Sequence, residues 1–446
     1  MVASPEAGAA GETCNGQAAT IVGAGSISGT ASRDVIVGSP GDDDINAGGG
    51  NDLICAGDGD DVVADGAGKD IVYLGAGDDV LLAALAKDSG DAVYGDAGSD
   101  TASYELRTVP VKVNLATTST ADDGAVGELD KLVDIENAVG GHGNDTLVGT
   151  VDGNVLQGRG GNDTITDLSG ADVVLGGDGD DTVAQPKTVD PGDYLEGGAG
   201  TDEISYAART ADSGEIELRL AGTSADNGST SSGGEHDSVH GFENARGGQG
   251  INDIDGTDGP NVIVMGAQGG QVHALDGDDT ITGGAGPDVV DDGLGADLVK
   301  LGGGCDVAQQ PVFSSNDVLD GGGGACDSID YSLRTQGVGI NIDPQTAGAF
   351  DGERGEADLL KGFERAYGGR GDDVIRGNDS ANILDAGPDP VSDDGVDNLI
   401  GLGGPDILLA HDGVKGNDLI DGGIGNDYGE IDDNDARNSV ERLQIY

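Results

Sequence analysis

The stretch Gly38–Leu82 repeats a pattern every nine residues. Cut into nines, it reads GSPGDDDIN, AGGGNDLIC, AGDGDDVVA, DGAGKDIVY and LGAGDDVLL. Each nonapeptide has glycine at its fourth place, aspartate at its sixth and an aliphatic residue at its eighth. Fixed self-similarity at a short period is typical of a repeat architecture. We therefore interpret the remaining sequence as copies or interruptions of this unit.

The residue types of the nonapeptide predict how it folds. Its last three places read x-aliphatic-x, which indicates a short half-buried strand with one inward side chain. Its first six places are rich in glycine, which permits the positive φ values of a tight turn. A strand of three residues cannot bury its aliphatic side chain alone. We therefore expect two nonapeptides to form one coil of 18 residues, and the coils to stack with strands about 4.8 Å apart.

Stacking has a consequence for the sixth-place aspartates. Residues 18 apart, such as Asp43 and Asp61, then lie in one column. Carboxylates at that spacing repel each other strongly unless a cation lies between them. Carboxylates and turn carbonyls are hard oxygen ligands, and no histidine or cysteine recurs with the repeat, so the pattern favours calcium.

These residues resemble the RTX, or haemolysin-type, calcium-binding repeat, whose pattern is GGxGxDxUx with U aliphatic. The resemblance implies an all-β fold, a right-handed parallel β-roll (a β-solenoid), with several calcium ions held between successive turns by the sixth-place aspartate and by turn carbonyls. A metal-free Gly/Asp-rich solenoid or a disordered acidic tract is the alternative, but disorder gives no reason to keep an aliphatic residue at the eighth place. Glycine four and aspartate six occur in register at 19 places. The predicted metal ligands are Asp43, Asp52, Asp61, Asp70, Asp79, Asp100, Asp145, Asp163, Asp172, Asp181, Asp202, Asp279, Asp288, Asp297, Asp306, Asp373, Asp406, Asp418 and Asp427.

Composition agrees with a thin aliphatic core and excludes several classes of function. The 446 residues include 86 glycines and no tryptophan, and aromatic residues make up 3%. The net charge of −63, from 84 acidic and 21 basic residues, excludes nucleic-acid binding through a basic patch. No apolar stretch is long enough to span a bilayer. Residues 1–20 lack the basic start and apolar centre of a signal peptide, so we expect either a removed signal or another export route.

Long inserts interrupt the nonapeptides and divide the chain. We predict a flexible leader at 1–19, an N-terminal array at 20–103, three modules at 104–203, 204–330 and 331–430, and a C-terminal cap at 431–446 that leaves the repeat. Each module begins with an insert of longer strands, which we expect at Val111–Leu115 and Leu132–Val139 in the first. A solenoid needs a cap because its last coil is otherwise open.

The three inserts share residues at corresponding positions. Each has a tyrosine followed three residues later by an arginine, which we expect to fix the insert to the coil: Tyr104/Arg107, Tyr206/Arg209 and Tyr331/Arg334. Each also has an acidic loop, with Asp122, Asp123, Glu128 and Asp130 in the first. This loop is either a second class of calcium site or a solvated acidic loop.

Some nonapeptides depart from the pattern at the sixth place. Asn154, Asn252, Asn261 and Gly270 stand there instead of aspartate. We expect the site at Asn154 to be weakened and those within 247–273 to be doubtful, because an amide carries no charge to offer a cation.

The four cysteines test the stacking. Cys305 and Cys326 both precede a sixth-place aspartate and, allowing for a three-residue insertion, lie one coil apart. Stacked coils bring such residues within the Cα range of a disulfide, roughly 4.4–6.8 Å. We predict the pairs Cys305–Cys326 and Cys14–Cys55; four free thiols are the alternative.

The sequence therefore predicts a secreted or cell-surface protein that binds calcium outside the cell and is not an enzyme. It has no HExxH, GxSxG or Walker-type motif. An adhesive, structural or ice-binding solenoid is the alternative, although its ordered Thr/Asn columns are missing at places seven and nine. A polysaccharide epimerase or lyase would need an aromatic and basic cleft. Nothing in the sequence identifies a protein or surface partner.

Overall fold

The computed structural model describes residues 12–88, 90–116, 120–190, 192–221, 227–229, 235–311, 316–345, 351–388, 395–410 and 417–446. Their regular structure is β apart from a 3-10 helix at Ala211–Ser213. The chain forms two compact units: Met1–Ala208 with Thr223–Gly228 and Ser232–Phe242, and Arg209–Gly222 with Ser229–Ser231 and Glu243–Tyr446. Each is a parallel β-roll, so the predicted fold class is confirmed.

The first unit is built from three parallel sheets. The first sheet contains Ile21–Val22, Val35–Val37, Leu53–Asp58, Ile71–Ala76, Ala92–Ala97 and Lys131–Val133. The second contains Ser26–Ser28, Asp44–Asn46, Val62–Ala64, Val80–Leu82, Thr101–Ser103, Asn137–Val139, Val155–Gly160, Val173–Asp178, Tyr194–Ala199 and Ser238–His240. The third contains Val111–Asn114, Thr146–Val148, Thr164–Thr166, Thr182–Ala184 and Glu203–Ser205, with Gly124–Ala125 antiparallel to the first of these.

The second unit has the same construction. One sheet contains Asn244–Arg246, Val262–Val264, Thr280–Thr282, Leu298–Lys300, Val318–Asp320 and Leu359–Lys361. Another contains Ile216–Arg219, Asn252–Asp255, Gly270–His273, Asp288–Asp291, Val307–Gln309, Ser328–Asp330, Arg365–Tyr367, Ile383–Asp385, Ile407–Ala410, Tyr428–Ile431 and Arg442–Ile445. The third contains Val338–Asn341, Val374–Arg376, Asn398–Ile400, Leu419–Asp421 and Ala436–Asn438, with Gly352–Glu353 antiparallel to the first.

Short strands also occur outside these main sheets. They are Thr13–Cys14 with Gln17–Ala18, Gly49–Gly50 with Ala67–Gly68, and Gly303–Gly304 with Gly323–Gly324. The two pairs of glycine-containing strands are parallel and lie within turns, so successive turns are also joined by backbone hydrogen bonds.

The register confirms the 18-residue coil. Ile71 pairs with Leu53 and Val72 with Ile54 in a parallel ladder. The eighth-place side chains Ile54 and Val72 are fully buried, as expected. First-place side chains are buried as well, among them Ala56 and Leu74. A nonapeptide whose first place is not glycine therefore contributes two inward side chains, of which the sequence pattern indicated only one.

The fourth-place glycine is needed because successive turns approach closely. Gly77 has φ +140°, and a Cβ there would overlap the carbonyl oxygen of Gly59 in the coil below. A larger residue would therefore both strain the backbone and separate the coils.

Three local expectations need correction. Residues 12–19 are part of an ordered antiparallel hairpin rather than a flexible leader, whereas residues 1–11 lie outside the described residues. The stretch Leu132–Val139 is two short strands in different sheets, because Asp134 turns the chain with φ 53°. The tail continues the parallel register instead of leaving it, because Arg442–Ile445 pairs with Tyr428–Ile431, and its role as a cap stays a prediction.

Both predicted disulfides are present. Cys14 is bonded to Cys55 with a Cα separation of 5.6 Å, and Cys305 to Cys326 with 4.9 Å. The second bond joins adjacent coils, so it confirms the register that placed its cysteines one above the other.

Candidate metal centres

All the aspartates predicted as metal ligands are buried, although they are charged residues in glycine-rich turns. Asp61 is 1% exposed and Asp70 is fully buried. Because aspartate is seldom buried without a partner, the fold needs something to compensate these carboxylates.

A hydrogen-bonded column links these aspartates from coil to coil, and we call it the carboxylate ladder. The backbone N–H of Asp43 donates to Oδ1 of Asp61 at 2.7 Å, and that of Asp61 donates to Oδ1 of Asp79 at 2.7 Å. The same contact joins Asp163 to Asp181 at 2.7 Å in the first unit, and Asp288 to Asp306 at 2.9 Å in the second. The predicted columns are therefore confirmed.

Along most of the ladder one carboxylate oxygen accepts a backbone N–H and the other has no partner, whereas both oxygens of Asp43, Asp145 and Asp373 accept backbone N–H groups. The unpartnered second oxygens are buried and accept no hydrogen bond; they include Oδ2 of Asp52, Asp61, Asp70, Asp79, Asp100, Asp163, Asp172, Asp181, Asp279, Asp297, Asp306, Asp406 and Asp427. Burial raises the pKa of Asp61 to about 6 and that of Asp163 to about 7, with neighbouring carboxylates adding to the increase. An ionised oxygen left in this state is costly.

The donor set fits a hard divalent cation. Most aspartate turns offer unpartnered carboxylate oxygens and glycine carbonyls, and oxygen donors of this kind suit calcium. The chemistry of these turns fits the predicted ligands, and the assignment of individual aspartates to ions stays a prediction.

Turns with asparagine at the sixth place are satisfied differently. The Asn154 side-chain amide donates to the carbonyl oxygen of Glu136 at 2.7 Å and to Oγ1 of Thr150 at 3.1 Å, while its oxygen accepts from the Thr150 backbone N–H. Asn261 makes the corresponding contacts to Glu243 and Thr257. In both turns the asparagine N–H group donates to the carbonyl and hydroxyl oxygens on the side of the turn where an aspartate would need a cation.

The insert residues have structural partners. Buried Arg107 forms an ion pair with buried Glu128 at 2.6 Å, and the Tyr104 hydroxyl donates to Asp130 at 3.0 Å. In the third insert Arg334 pairs with Glu356 at 2.8 Å and Tyr331 donates to Asp358 at 2.6 Å. The tyrosine and arginine therefore fix the insert as expected.

The acidic loop is not fully solvated, because Glu128 and Asp130 are buried, and a second class of calcium site there stays a prediction. Both residues have protein partners, and Asp130 also joins the ladder by accepting from the Asp91 backbone N–H at 3.0 Å. Asp122, nearer the surface, forms an ion pair with Lys112.

The structure adds ladder residues that were not among the predicted metal ligands. Each accepts a backbone N–H from a ladder residue one coil away: Asp91, Asp130, Glu136, Asp193, Asp237, Asp317, Asp327, Asp358, Glu364, Asp397 and Glu441. Most follow an insertion that shifts the nine-residue register. The remaining signal was the aliphatic residue two places later, as with Asp91 and Val93.

No helix among the described residues is long and apolar enough to cross a membrane.

Comparison with known proteins agrees with the geometry. A family model described as "RTX calcium-binding nonapeptide repeat (4 copies)" matches residues 22–54, 56–89, 148–183, 273–308 and 361–389. A metallopeptidase, AprA, of Pseudomonas marginalis is 39% identical over 79 residues. That alignment covers 17% of this chain and 16% of the relative. The resemblance stated from the sequence is confirmed.

Proposed function

Because the chain carries RTX calcium-binding nonapeptide repeats, we propose that it is an extracellular protein whose β-roll folds on binding many Ca²⁺ ions in its Asp/Gly turns. The observation that carries the proposal is the set of buried second carboxylate oxygens along the ladders, which accept no hydrogen bond. Calcium supplies the positive charge that these oxygens lack.

Electrostatics links binding to folding. The chain carries a net charge of −63, and folding brings its sixth-place carboxylates into columns away from water. Without cations, this burial and mutual repulsion oppose the fold. Because the paired turns exist only in the folded chain, the free energy of calcium binding becomes free energy of folding.

The expected calcium affinity of the sites and the disulfides of the chain support an extracellular location. Numerous sites of modest affinity suit the calcium concentrations outside cells, and the two disulfides suit an oxidising compartment. The ladders supply ligands and repeated turns rather than a cleft with catalytic groups in distinct environments. We therefore propose a non-enzymatic role, and the metallopeptidase relative gives no reason for another, since only 16% of it is aligned.

A calcium titration followed by circular dichroism tests the proposal. In chelator at neutral pH we expect an expanded, largely disordered chain, and in millimolar calcium a compact β-rich one. Magnesium should substitute poorly because it demands tighter octahedral geometry and keeps its water. Sodium chloride at matched ionic strength controls for screening. Equal β-content in chelator and in calcium would refute the proposal.

A further inference from the structure

A second kind of acidic cluster lies inside the roll, where a nonapeptide begins with aspartate. First-place side chains point into the core, as Ala56 and Leu74 show. Asp167 and Asp292 occupy this place, and they are 0% and 1% exposed. Their carboxylates therefore lie in the interior instead of in the turn.

Each of these aspartates meets two members of a ladder. One carboxylate oxygen from each of Asp167, Asp172 and Asp193 lies within 4.8 Å of the others in the first unit. Asp292, Asp297 and Asp317 form the same arrangement in the second unit. All six residues are buried.

A glutamine one coil later contacts each interior aspartate. Gln185 Nε2 donates to Asp167 Oδ2 at 2.6 Å, and Gln310 Nε2 donates to Asp292 Oδ2 at 2.9 Å. The other oxygens of these side chains, Oδ1 of each aspartate and Oε1 of each glutamine, are buried without a hydrogen-bond partner. The same four-residue arrangement thus leaves the same oxygens unsatisfied in both units.

The glutamine amide and the backbone N–H groups that Asp172 and Asp193 accept along the ladder are uncharged, so they do not neutralise three buried carboxylates. A divalent cation removes the repulsion and uses the unpartnered oxygens, which are hard ligands.

We propose that each cluster, Asp167/Asp172/Asp193 and Asp292/Asp297/Asp317, binds a calcium ion in the interior of the roll. This inference rests on the proposed calcium-binding function and adds a class of site distinct from the turns.

The clusters lie close to the residues that hold the inserts in place, so a bound ion would help to fix each insert to the roll. The Asp193 backbone N–H donates to Asp237 at 3.1 Å, and Asp237 accepts from the Tyr206 hydroxyl at 2.6 Å. Asp317 donates in the same way to Asp358 at 3.1 Å. Each interior ion thus lies one ladder step from the aspartate that holds an insert tyrosine.

The first array contains an informative variant of the cluster. Asp65 also stands at the first place and is buried, but Ala83 replaces the glutamine. Its Oδ1 accepts the Gly66 backbone N–H at 2.7 Å. Because the glutamine is missing and this oxygen is already used, the proposal does not extend to Asp65.

The test compares calcium stoichiometry by equilibrium dialysis of the full chain at saturating calcium. The double variant Asp167→Asn/Asp292→Asn should bind two fewer ions per chain than the unaltered protein while keeping its β-content. The control Asp152→Asn/Asp258→Asn removes the same charge from exposed aspartates and should lose none. Unchanged stoichiometry in the first variant would overturn this inference alone, whereas an unaltered chain that binds no calcium would overturn the proposed function.

A second measurement does not depend on the variants folding. Anomalous scattering from crystals of the unaltered protein grown in calcium should show a peak within about 2.5 Å of Asp167 Oδ1 and of Asp292 Oδ1. Peaks in the turns with none at these oxygens would contradict the inference and leave protonation as the way the clusters are neutralised.

Discussion

Two turns of the first unit, around Asp61 and around Asn154, make the same backbone hydrogen bond to the next coil. They differ in whether the sixth-place side chain has hydrogen-bond partners in the turn. The backbone N–H of each donates to the aspartate one coil later, at 2.7 Å to Asp79 and 2.6 Å to Asp172. Asp61 keeps a buried Oδ2 without a partner, whereas the Asn154 amide donates to Glu136 and Thr150. A turn therefore needs either an N–H group or a cation at this point.

The comparison explains where asparagine occurs. Asn154 and Asn382 stand one coil after Glu136 and Glu364, the glutamates at which a ladder of aspartates ends after an insert. Both amides donate back to the glutamate carbonyl oxygen, at 2.7 and 3.3 Å. Asparagine thus starts a new ladder without requiring an ion. The sequence-based view of these positions as degenerate repeats missed that role.

The largest effect should come from changing the protonation of all the aspartate turns together. Burial raises the pKa of Asp163 and Asp406 from 3.8 to about 7. The folded chain therefore binds more protons than the unfolded chain between these values, so the stability of the calcium-free fold falls as pH rises through this window. In chelator we expect β-structure near pH 4 that is lost toward pH 7, measured by circular dichroism.

Calcium should reverse this pH dependence. Protons compete for the same oxygens, so apparent calcium affinity should rise from pH 5 to pH 7.5. A calcium-free chain that becomes more ordered as pH rises would contradict the electrostatic account of the aspartate turns.

A single aspartate turn should show a smaller, local effect. Asp61→Asn removes a ligand shared with the coils of Asp43 and Asp79, so calcium stoichiometry should fall by up to two ions and the midpoint of calcium-induced folding should rise. Asp58→Asn, in the same nonapeptide but exposed, makes the same charge change and should alter neither. Equilibrium dialysis and calorimetry compare the two variants, and equal losses would show that the nine-residue register does not define the sites.

The smallest effect should come from converting an asparagine turn. Asn154→Asp places a carboxylate against the Glu136 carbonyl and the Thr150 hydroxyl, so the variant should need calcium there. We expect one additional ion per chain in millimolar calcium and a less stable fold at low calcium. Asn144→Asp, which alters an exposed neighbour, is the matched control. An unchanged ion count in Asn154→Asp would mean that charge alone does not create a turn site.

The regular part of the fold could be predicted because its physics is local and periodic. The repeating nonapeptide pattern predicted the buried eighth-place aliphatic residue, the close approach at the fourth-place glycine and the 18-residue offset between coils. Stacking coils on that pattern also predicted both cysteine pairs. Asp61 and its counterparts could be identified as candidate ligands because aspartate recurs at a fixed place of the repeat.

Other features could not be predicted because they depend on neighbouring coils. Asp91 and Asp193 follow insertions that shift the register, so the sequence left only the aliphatic residue two places later as a signal for them. The break in Leu132–Val139 comes from a positive φ at Asp134. No glycine stands there to indicate a turn in the sequence. The interior position of Asp167 could not be predicted because the sequence pattern did not indicate that first-place side chains point into the core.

The bond between Cys14 and Cys55 has a kinetic consequence. A stack in which each coil contacts only its neighbours behaves as a one-dimensional lattice, where forming the first coil is the slow, improbable event and later coils add readily. This bond holds the N-terminal hairpin beside the strand Leu53–Asp58 and spans the first coils before any ion arrives. The covalent loop makes that end of the array a permanent nucleus from which order can propagate coil by coil.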